Sequence, residues 1–161
     1  MKSSNASLRL DEQLCFALYA ATNAITRTYR APLAAIGLTY PQYLVMLVLW
    51  EHGTQSVKGL ADRLDLDSST LTPLLKRLAA SGLVSRLRDP HDERIVRIGL
   101  TREGAALRTP AAQIQGHVAC RTRLDGEAFV GLRTQLQRLV LELAQQESAA
   151  VVEAGDEPAC A

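Results

Sequence analysis

The sequence is poor in the residues that build disulfide scaffolds and metal centres. Its 161 residues include three cysteines, Cys15, Cys120 and Cys160, which are too few and too scattered for a disulfide framework. No CxxC pair occurs and the three histidines lack the spacing of metal ligands, so we expect no metal and no cofactor. Isolated cysteines in a reducing compartment are either inert packing residues or redox-active thiols.

Long apolar runs are also absent. The longest uninterrupted run, Tyr43 to Trp50, is too short to span a bilayer. The N-terminal Met1-Lys2-Ser3-Ser4-Asn5 is not followed by the apolar segment of a secretory signal peptide. Because 47% of the residues are hydrophobic and 22% charged, the composition indicates a globular chain. We therefore expect a soluble, cytoplasmic protein.

The net charge of +1 gives no preference for nucleic acid or membrane, but the charge is unevenly distributed. Residues 76–102 hold seven basic and three acidic side chains, which leaves a local charge of +4. The basic residues are Lys76, Arg77, Arg86, Arg88, Arg94, Arg97 and Arg102. Such a cluster favours a phosphate-facing surface when a scaffold presents it, although a solvated helix face has the same composition.

The middle of the chain has the pattern of a helix-turn-helix. Residues 56–64 predict a short helix, Asp65-Leu66-Asp67 a brief turn, and residues 68–81 a second helix that Gly82 ends. Leucines face inward on the second helix, and polar and basic residues face outward. Pro73 lies inside it, so the helix either begins late or is kinked there.

A basic hairpin follows this second helix at once. Residues 84–88 and 94–100 are rich in β-prone side chains and flank a loop at 89–93. A helix-turn-helix followed by a hairpin is the winged variant. The predicted fold class is mainly α with a small β-hairpin wing, flanked by N- and C-terminal dimerisation helices.

Helices are predicted on both sides of this region. Residues 8–31 have helical apolar spacing that Pro32 interrupts, and Thr39-Tyr40-Pro41 is a helix-start signal for a buried helix ending near Gly53. The C-terminal region reads as helical, with breaks near Pro110 and Asp125-Gly126.

We therefore predict that the chain divides into four segments. These are dimerisation helices at 1–37, the DNA-binding region at 38–104, further dimerisation helices at 105–147 and a disordered tail at 148–161. The terminal helices have apolar sides that a monomer leaves uncovered, so we expect a homodimer presenting two recognition helices to one inverted-repeat operator.

The outward residues of the second helix and the hairpin are candidate DNA contacts. Thr70 and Thr72 are placed to contact bases, and Lys76 and Arg77 to hold phosphates. Arg94 is placed to enter a minor groove, with Asp92 orienting its guanidinium. The full set is Ser68, Ser69, Thr70, Thr72, Lys76, Arg77, Arg86, Asp92 and Arg94.

Cys15 is predicted about one turn into the first helix, where the helix dipole favours a thiolate. Tyr19 lies one turn away on the same face, so it is a further candidate to support the thiolate. Tyr29 lies on nearly the same side of this helix as Cys15, but about 21 Å away along a straight helix. It would therefore reach only the Cys15 of a second copy, in an antiparallel dimer. From the residues alone, a cysteine in an apolar helical stripe such as Cys15 is more often a passive core residue than a reactive thiol.

Several motifs resemble the MarR family of winged-helix repressors and, more specifically, its organic-hydroperoxide resistance repressors. The generic motifs are Leu60-Ala61, Gly82-Leu83-Val84-Ser85-Arg86, Asp92-Glu93-Arg94 and Leu100-Thr101-Arg102-Glu103-Gly104. The more specific ones are Leu14-Cys15-Phe16-Ala17-Leu18-Tyr19, residues 38–47 around Tyr40-Pro41-Gln42-Tyr43, and residues 66–77. The resemblance covers about residues 8–145 and accommodates Pro73.

The resemblance implies a thiol switch. Cys15 would be oxidised by organic hydroperoxides with help from Tyr29 and Tyr40 across the dimer, and Cys120 would resolve it into a reversible intersubunit disulfide that releases DNA. Ser69 departs from the glycine expected in close relatives. Cys160 has no family role, and is either a dispensable thiol or a competitor for Cys15.

Two other readings remain open at this level. A MarR-type repressor could respond to a phenolic or other small ligand without thiol chemistry. A thiol peroxidase is the enzymatic alternative, but the sequence lacks a thioredoxin-like βαβ pattern, so we expect no enzyme. A pure protein-interaction module leaves the basic hairpin unexplained.

Overall fold

The computed structural model describes residues 8–90, 92 and 94–155, and side chains as far as residue 146. Cys160 lies outside this range. A short 3-10 helix (Leu10–Glu12) precedes the first α-helix. The elements are α1 (Leu14–Ala35), α2 (Tyr40–His52), β1 (Gln55–Ser56), α3 (Val57–Leu64), α4 (Ser68–Ala80), β2 (Val84–Arg88), β3 (Val96–Leu100), α5 (Arg102–Ala106), α6 (Arg108–Arg121) and α7 (Gly126–Gly155).

The predicted fold class is confirmed, because the described chain is mostly helical with one small antiparallel sheet. The sheet has the strand order β1-β3-β2. Strands β2 and β3 pair from Val84 opposite Leu100 to Arg88 opposite Val96, which forms the wing hairpin. Gln55 of β1 pairs with Ile98 on the other edge of β3. Strand β1 was not predicted, because two residues are too few for an alternating pattern.

The core lies under the helix-turn-helix. Leu60 of α3 and Leu71 and Leu78 of α4 have no exposed surface, and they meet the apolar side of α2. The capping box of Thr39 and Gln42 fixes the start of α2, with Pro41 in its first turn as predicted. Burial of these leucines orients α4, since its opposite face must then point to solvent.

Three helix boundaries differ from the predictions. Helix α1 continues past Pro32 to Ala35, because Leu33 is fully buried and the fixed φ of proline is itself helical. Helix α1 begins at Leu14, so Cys15 is its second residue rather than one turn inside. The predicted break near Pro110 falls at Leu107, between α5 and α6, so Pro110 itself is the third residue of α6, a position that proline tolerates.

The chain divides into two compact units after Val118. In the second unit, α7 runs to Gly155, so the part of the predicted disordered tail between 148 and 155 is helical. The stretch contains no proline, and its alanines favour helix until Gly155. Many large apolar side chains of α7 are exposed within the chain, among them Val130, Leu132, Val140, Leu141 and Leu143.

No single described helix is long and apolar enough to cross a membrane. Helices α1 and α2 meet that test only when combined, and they are bent by 76°.

Candidate nucleic-acid interface and thiol site

The turn between α3 and α4 is short and well defined. The Ser56 hydroxyl caps α3 by accepting the Gly59 amide at 2.9 Å. Asp65 takes a left-handed conformation with a φ of 51°, and the Leu66 amide bonds to the Ala61 carbonyl at 3.1 Å. Asp67 then stands at the N-cap of α4. The predicted turn Asp65-Leu66-Asp67 therefore joins the two helices of a helix-turn-helix.

Helix α4 presents the predicted polar face to solvent. Its leucines 71, 74, 75 and 78 are buried. The exposed residues include Ser68, Ser69, Thr70, Lys76 and Arg77. Thr72 is half-buried, and its hydroxyl donates to the Ser68 carbonyl at 2.7 Å. Five of the six α4 candidates thus share one accessible surface, whereas the hydroxyl proton of Thr72 is used within the helix.

Pro73 is the sixth residue of α4, since the helix begins at Ser68. The alternative in which the helix starts late is therefore wrong. A proline here has no amide to donate to the Ser69 carbonyl. Ser69 is exposed, so water can take the place of that missing donor.

The tip of the wing is organised by Asp92. Its carboxylate accepts the backbone amide of Arg94 at 3.0 Å, and its carbonyl accepts the amide of Ile95 at 2.9 Å. The contact that the structure shows from the Asp92 carboxylate is to the Arg94 main chain, and its orientation of the Arg94 guanidinium stays a prediction. These bonds form a turn, which is why β3 begins at Val96 and not at Arg94. Arg94 and Arg86 are both exposed.

An ion pair at the base of the loop was missed in the sequence. The guanidinium Nε of Arg97 on β3 donates to the carboxylate of Asp89, which is a buried residue. The Asp89 amide also bonds to the Ile95 carbonyl at 2.8 Å. In the sequence, Arg97 is visible only as one member of the basic cluster at residues 76–102. The hairpin register would have revealed the pair, because it places the two side chains near one another.

Both described cysteines are exposed and unpaired. Cys15 lies at the start of α1, and Cys120 lies near the end of α6 in the second unit. Exposure contradicts the reading of Cys15 as a buried packing residue within its own chain. Leu14, Phe16 and Tyr19, which surround it in sequence, are exposed as well. Cys15 therefore stands in an uncovered apolar stretch of α1.

Three tyrosines form a cluster between α1 and α2. The ring centroid of Tyr29 lies 5.3 Å from that of Tyr40 and 5.6 Å from that of Tyr43, and the latter two are 6.2 Å apart. We call Tyr29, Tyr40 and Tyr43 the tyrosine cluster. Tyr43 was not predicted as part of it, although its spacing of three from Tyr40 on one helix is a visible signal. The predicted Tyr19 is exposed and lies outside the cluster.

Burial raises the pKa of all three phenols of the cluster. It raises the pKa of Tyr29 to about 12, with further contributions from the neighbouring Tyr43 and Tyr40. Burial also raises the pKa of Tyr40 and of Tyr43. At neutral pH the cluster therefore offers hydroxyl donors rather than phenolates.

The cluster does not meet Cys15 within one chain. Both Cys15 and Tyr29 lie on α1, and fourteen residues of helix correspond to about 21 Å. Tyr40 instead lines an open groove of about 740 Å³ with Tyr19, Arg27 and Arg30. A second groove, of about 360 Å³, lies between α2 and α6 and is lined by Tyr43, Trp50 and Arg108, among others.

No group of three or more histidine, cysteine, aspartate or glutamate side chains that could hold a metal ion occurs in the described part of the chain.

Known proteins are similar to this chain in sequence and in fold. Residues 38–96 match the profile of the MarR family. The chain is 42% identical over 146 residues to the organic hydroperoxide resistance transcriptional regulator of Bacillus subtilis, covering 91% of this chain and 99% of that protein.

The structure is similar to two structures of AbfR, a protein of Staphylococcus epidermidis. Reduced AbfR bound to DNA aligns with a TM-score of 0.70 and 35% identity, over 84% of this chain and 94% of that one. AbfR with its disulfide formed aligns with a TM-score of 0.60 and 36% identity, over 82% and 93% of the two chains.

Proposed function

Because this chain belongs to the MarR family, we propose that it is a redox-sensing transcriptional repressor and not an enzyme. The reduced form would bind operator DNA as a homodimer, and oxidation of Cys15 by an organic hydroperoxide would release it. The observation that carries the proposal is an exposed thiol at the start of α1 in a chain that also presents a polar α4 and a basic wing.

The DNA-binding part follows from the exposed face of α4. Its hydroxyl-bearing N-terminal half would lie in the major groove, with Lys76 and Arg77 on phosphates. Arg94 at the tip of the wing would enter the adjacent minor groove, where a guanidinium is favoured. A two-fold dimer would repeat these contacts on the second half of an inverted repeat.

The redox part begins with the Cys15 thiolate. Its sulfur attacks the outer oxygen of the hydroperoxide, an S–O bond forms, the O–O bond breaks and the alcohol leaves with a proton. The thiolate of Cys120 then attacks the resulting sulfenic acid, forms an S–S bond and expels the oxygen as water. An added thiol reverses the disulfide by exchange.

The tyrosine cluster supplies donors for this reaction. With the pKa of Tyr29 at about 12, its phenol is protonated at neutral pH and can donate to a thiolate or to the leaving oxygen. Because Tyr29 is about 21 Å from Cys15 along α1, the proposal requires the Cys15 of a second copy. The exposed apolar residues of α1 and α7 are the surfaces that such a dimer would cover.

A ligand-responsive repressor is the second candidate. The groove of about 360 Å³ between α2 and α6 favours it, because Tyr43, Trp50 and Arg108 could hold a small aromatic acid or phenol. In this case the Cys15→Ser variant would keep the full response to its inducer.

The deciding experiment is a DNA-binding titration of the protein with a promoter fragment from upstream of its own gene. Reduced protein, protein treated with cumene hydroperoxide, and treated protein restored with dithiothreitol are compared. We expect binding, loss and recovery for the natural chain, and peroxide-insensitive binding for Cys15→Ser. Cys120→Ser should form a sulfenic acid without an intersubunit disulfide, and Cys160→Ser is the matched control that should behave as the natural chain.

Peroxide-insensitive binding of the natural chain would contradict the thiol switch and favour the ligand-responsive candidate. Absence of binding in every state would contradict the DNA-binding function.

A further inference from the structure

Trp50 contacts both the tyrosine cluster and helix α5, two parts of the first unit that the proposed function does not link. It is the single tryptophan of the chain and lies near the end of α2. Its ring centroid is 6.3 Å from that of Tyr43, a member of the tyrosine cluster. Its indole Nε1–H donates to the backbone carbonyl of Gly104 in α5 at 3.0 Å, across 54 positions of sequence.

The Gly104 carbonyl lies in a junction that several hydrogen bonds and a close backbone contact hold together. The Thr101 hydroxyl caps α5 by accepting the Gly104 amide at 3.0 Å, and it donates to the Gly82 carbonyl at 2.6 Å. The Thr101 amide bonds to the Leu83 carbonyl at 3.1 Å. A Cβ on Gly104 would stand 2.0 Å from the Leu83 carbonyl oxygen, so α5 touches this backbone directly.

Gly82 and Leu83 lie in the connection between the end of α4 and the start of β2. Any displacement of α5 at Gly104 is therefore transmitted to the point where the recognition helix and the wing meet. Closely packed elements pass on such shifts because a filled interface cannot deform continuously.

We infer that Trp50 is a positioning residue that couples the tyrosine cluster to the α4–wing junction through its bond to Gly104. Oxidation at Cys15 changes what the tyrosine hydroxyls bind, Tyr43 shifts against the Trp50 ring, and the indole moves the α5 backbone. The inference rests on the proposed redox function, and it assigns the intramolecular part of DNA release to one hydrogen bond.

The test uses Trp50→Phe, which keeps an aromatic ring and removes the donor. Operator dissociation constants are measured for reduced and peroxide-treated protein, and the quantity of interest is the ratio of the oxidised to the reduced constant. We expect Trp50→Phe to lower this ratio about fivefold or more, a typical size for allosteric coupling. Cys15 oxidation and disulfide formation, followed by mass spectrometry on the same samples, should keep their natural rates.

Val45→Ala is the matched control. Val45 lies on the same helix and is fully buried, so its truncation weakens packing without removing the indole donor. This variant should keep the natural ratio. A Trp50→Phe variant with the natural ratio, or one that weakens both constants equally, would overturn the inference while leaving the redox function intact. A natural chain with no peroxide response would overturn both.

Fluorescence gives a second measurement that needs no variant of Trp50. Because the chain has one tryptophan, its emission reports on this indole alone. We expect peroxide to shift or quench the emission of the DNA-free protein, and Cys15→Ser to abolish the change. An emission unaffected by oxidation in a protein that releases DNA would overturn the inference.

Discussion

The ion pair of Asp89 and Arg97 allows a quantitative test of how the wing is held. The Asp89 side chain is 6% exposed, whereas that of Arg97 is 50% exposed. Arg97→Ala removes the guanidinium and leaves the carboxylate in its buried position at the base of the wing loop. The backbone pairing of the wing hairpin, from Val84 to Leu100, does not depend on this side chain, so we expect the variant to keep it.

The magnitude follows from the unequal exposure of the two partners. Breaking a fully buried pair costs about 3–5 kcal/mol, whereas an exposed pair contributes at most about 1 kcal/mol. A hydrogen bond to a charged group is worth about 1.5–3 kcal/mol, and the exposed half of Arg97 reduces this through solvent screening. We therefore expect Arg97→Ala to lower the free energy of unfolding by about 1–2 kcal/mol.

Urea unfolding of Arg97→Ala, Asp89→Ala and the double variant forms a mutant cycle. The double variant should cost less than the sum of the single ones, with a coupling free energy of about 1 kcal/mol. Arg88→Ala is the matched control, because it removes an exposed arginine from the same hairpin and should change stability by less than about 0.5 kcal/mol. A coupling free energy of zero would refute the reasoning, as would an Arg97→Ala variant as stable as Arg88→Ala.

Three further predictions concern the contact of Arg94 with DNA, the oxidation rate of Cys15 and the stability of the fold at alkaline pH. Arg94→Ala should weaken operator binding severalfold in a fluorescence-anisotropy titration and leave the oxidation rate of Cys15 unchanged; natural affinity would exclude the minor-groove contact. Tyr29→Phe and Tyr40→Phe should each slow sulfenic acid formation in stopped-flow measurements, because a donor is lost while the ring remains, and unchanged rates would contradict their role. The pKa of Tyr29 is raised to about 12 from about 10, so the folded state keeps a proton that the unfolded state loses. Its contribution to stability is fully present below about pH 10 and is lost as the pH rises towards 12, and Tyr29→Phe should flatten this decline in pH-dependent urea titrations.

The periodicity of apolar residues was sufficient to predict the helix-turn-helix from the sequence. The leucines of α4 recur at helical spacing and are buried, and the turn from Asp65 to Asp67 is bounded by residues that cap helices well. The exposed face of α4 follows from the same pattern, because a helix buried on one side must expose the other.

Tertiary contacts decided the features that the sequence did not reveal. Strand β1 exists because β3 offers a free edge to it, and α1 passes Pro32 because Leu33 is buried. The ion pair of Asp89 and Arg97 depends on the register of a hairpin, and the bond from Trp50 to Gly104 joins residues 54 positions apart. Local propensity contains no information about such partners.

The internal bond of Thr72 restricts what this residue can read in DNA. Its hydroxyl proton is committed to the Ser68 carbonyl, so the oxygen can only accept. It cannot donate to the major-groove acceptors of guanine or to O4 of thymine, but it can accept from the amino groups of adenine and cytosine, and its methyl group can contact that of thymine. On chemical grounds, Thr72 would therefore discriminate against guanine in the operator and tolerate either base of an A·T pair.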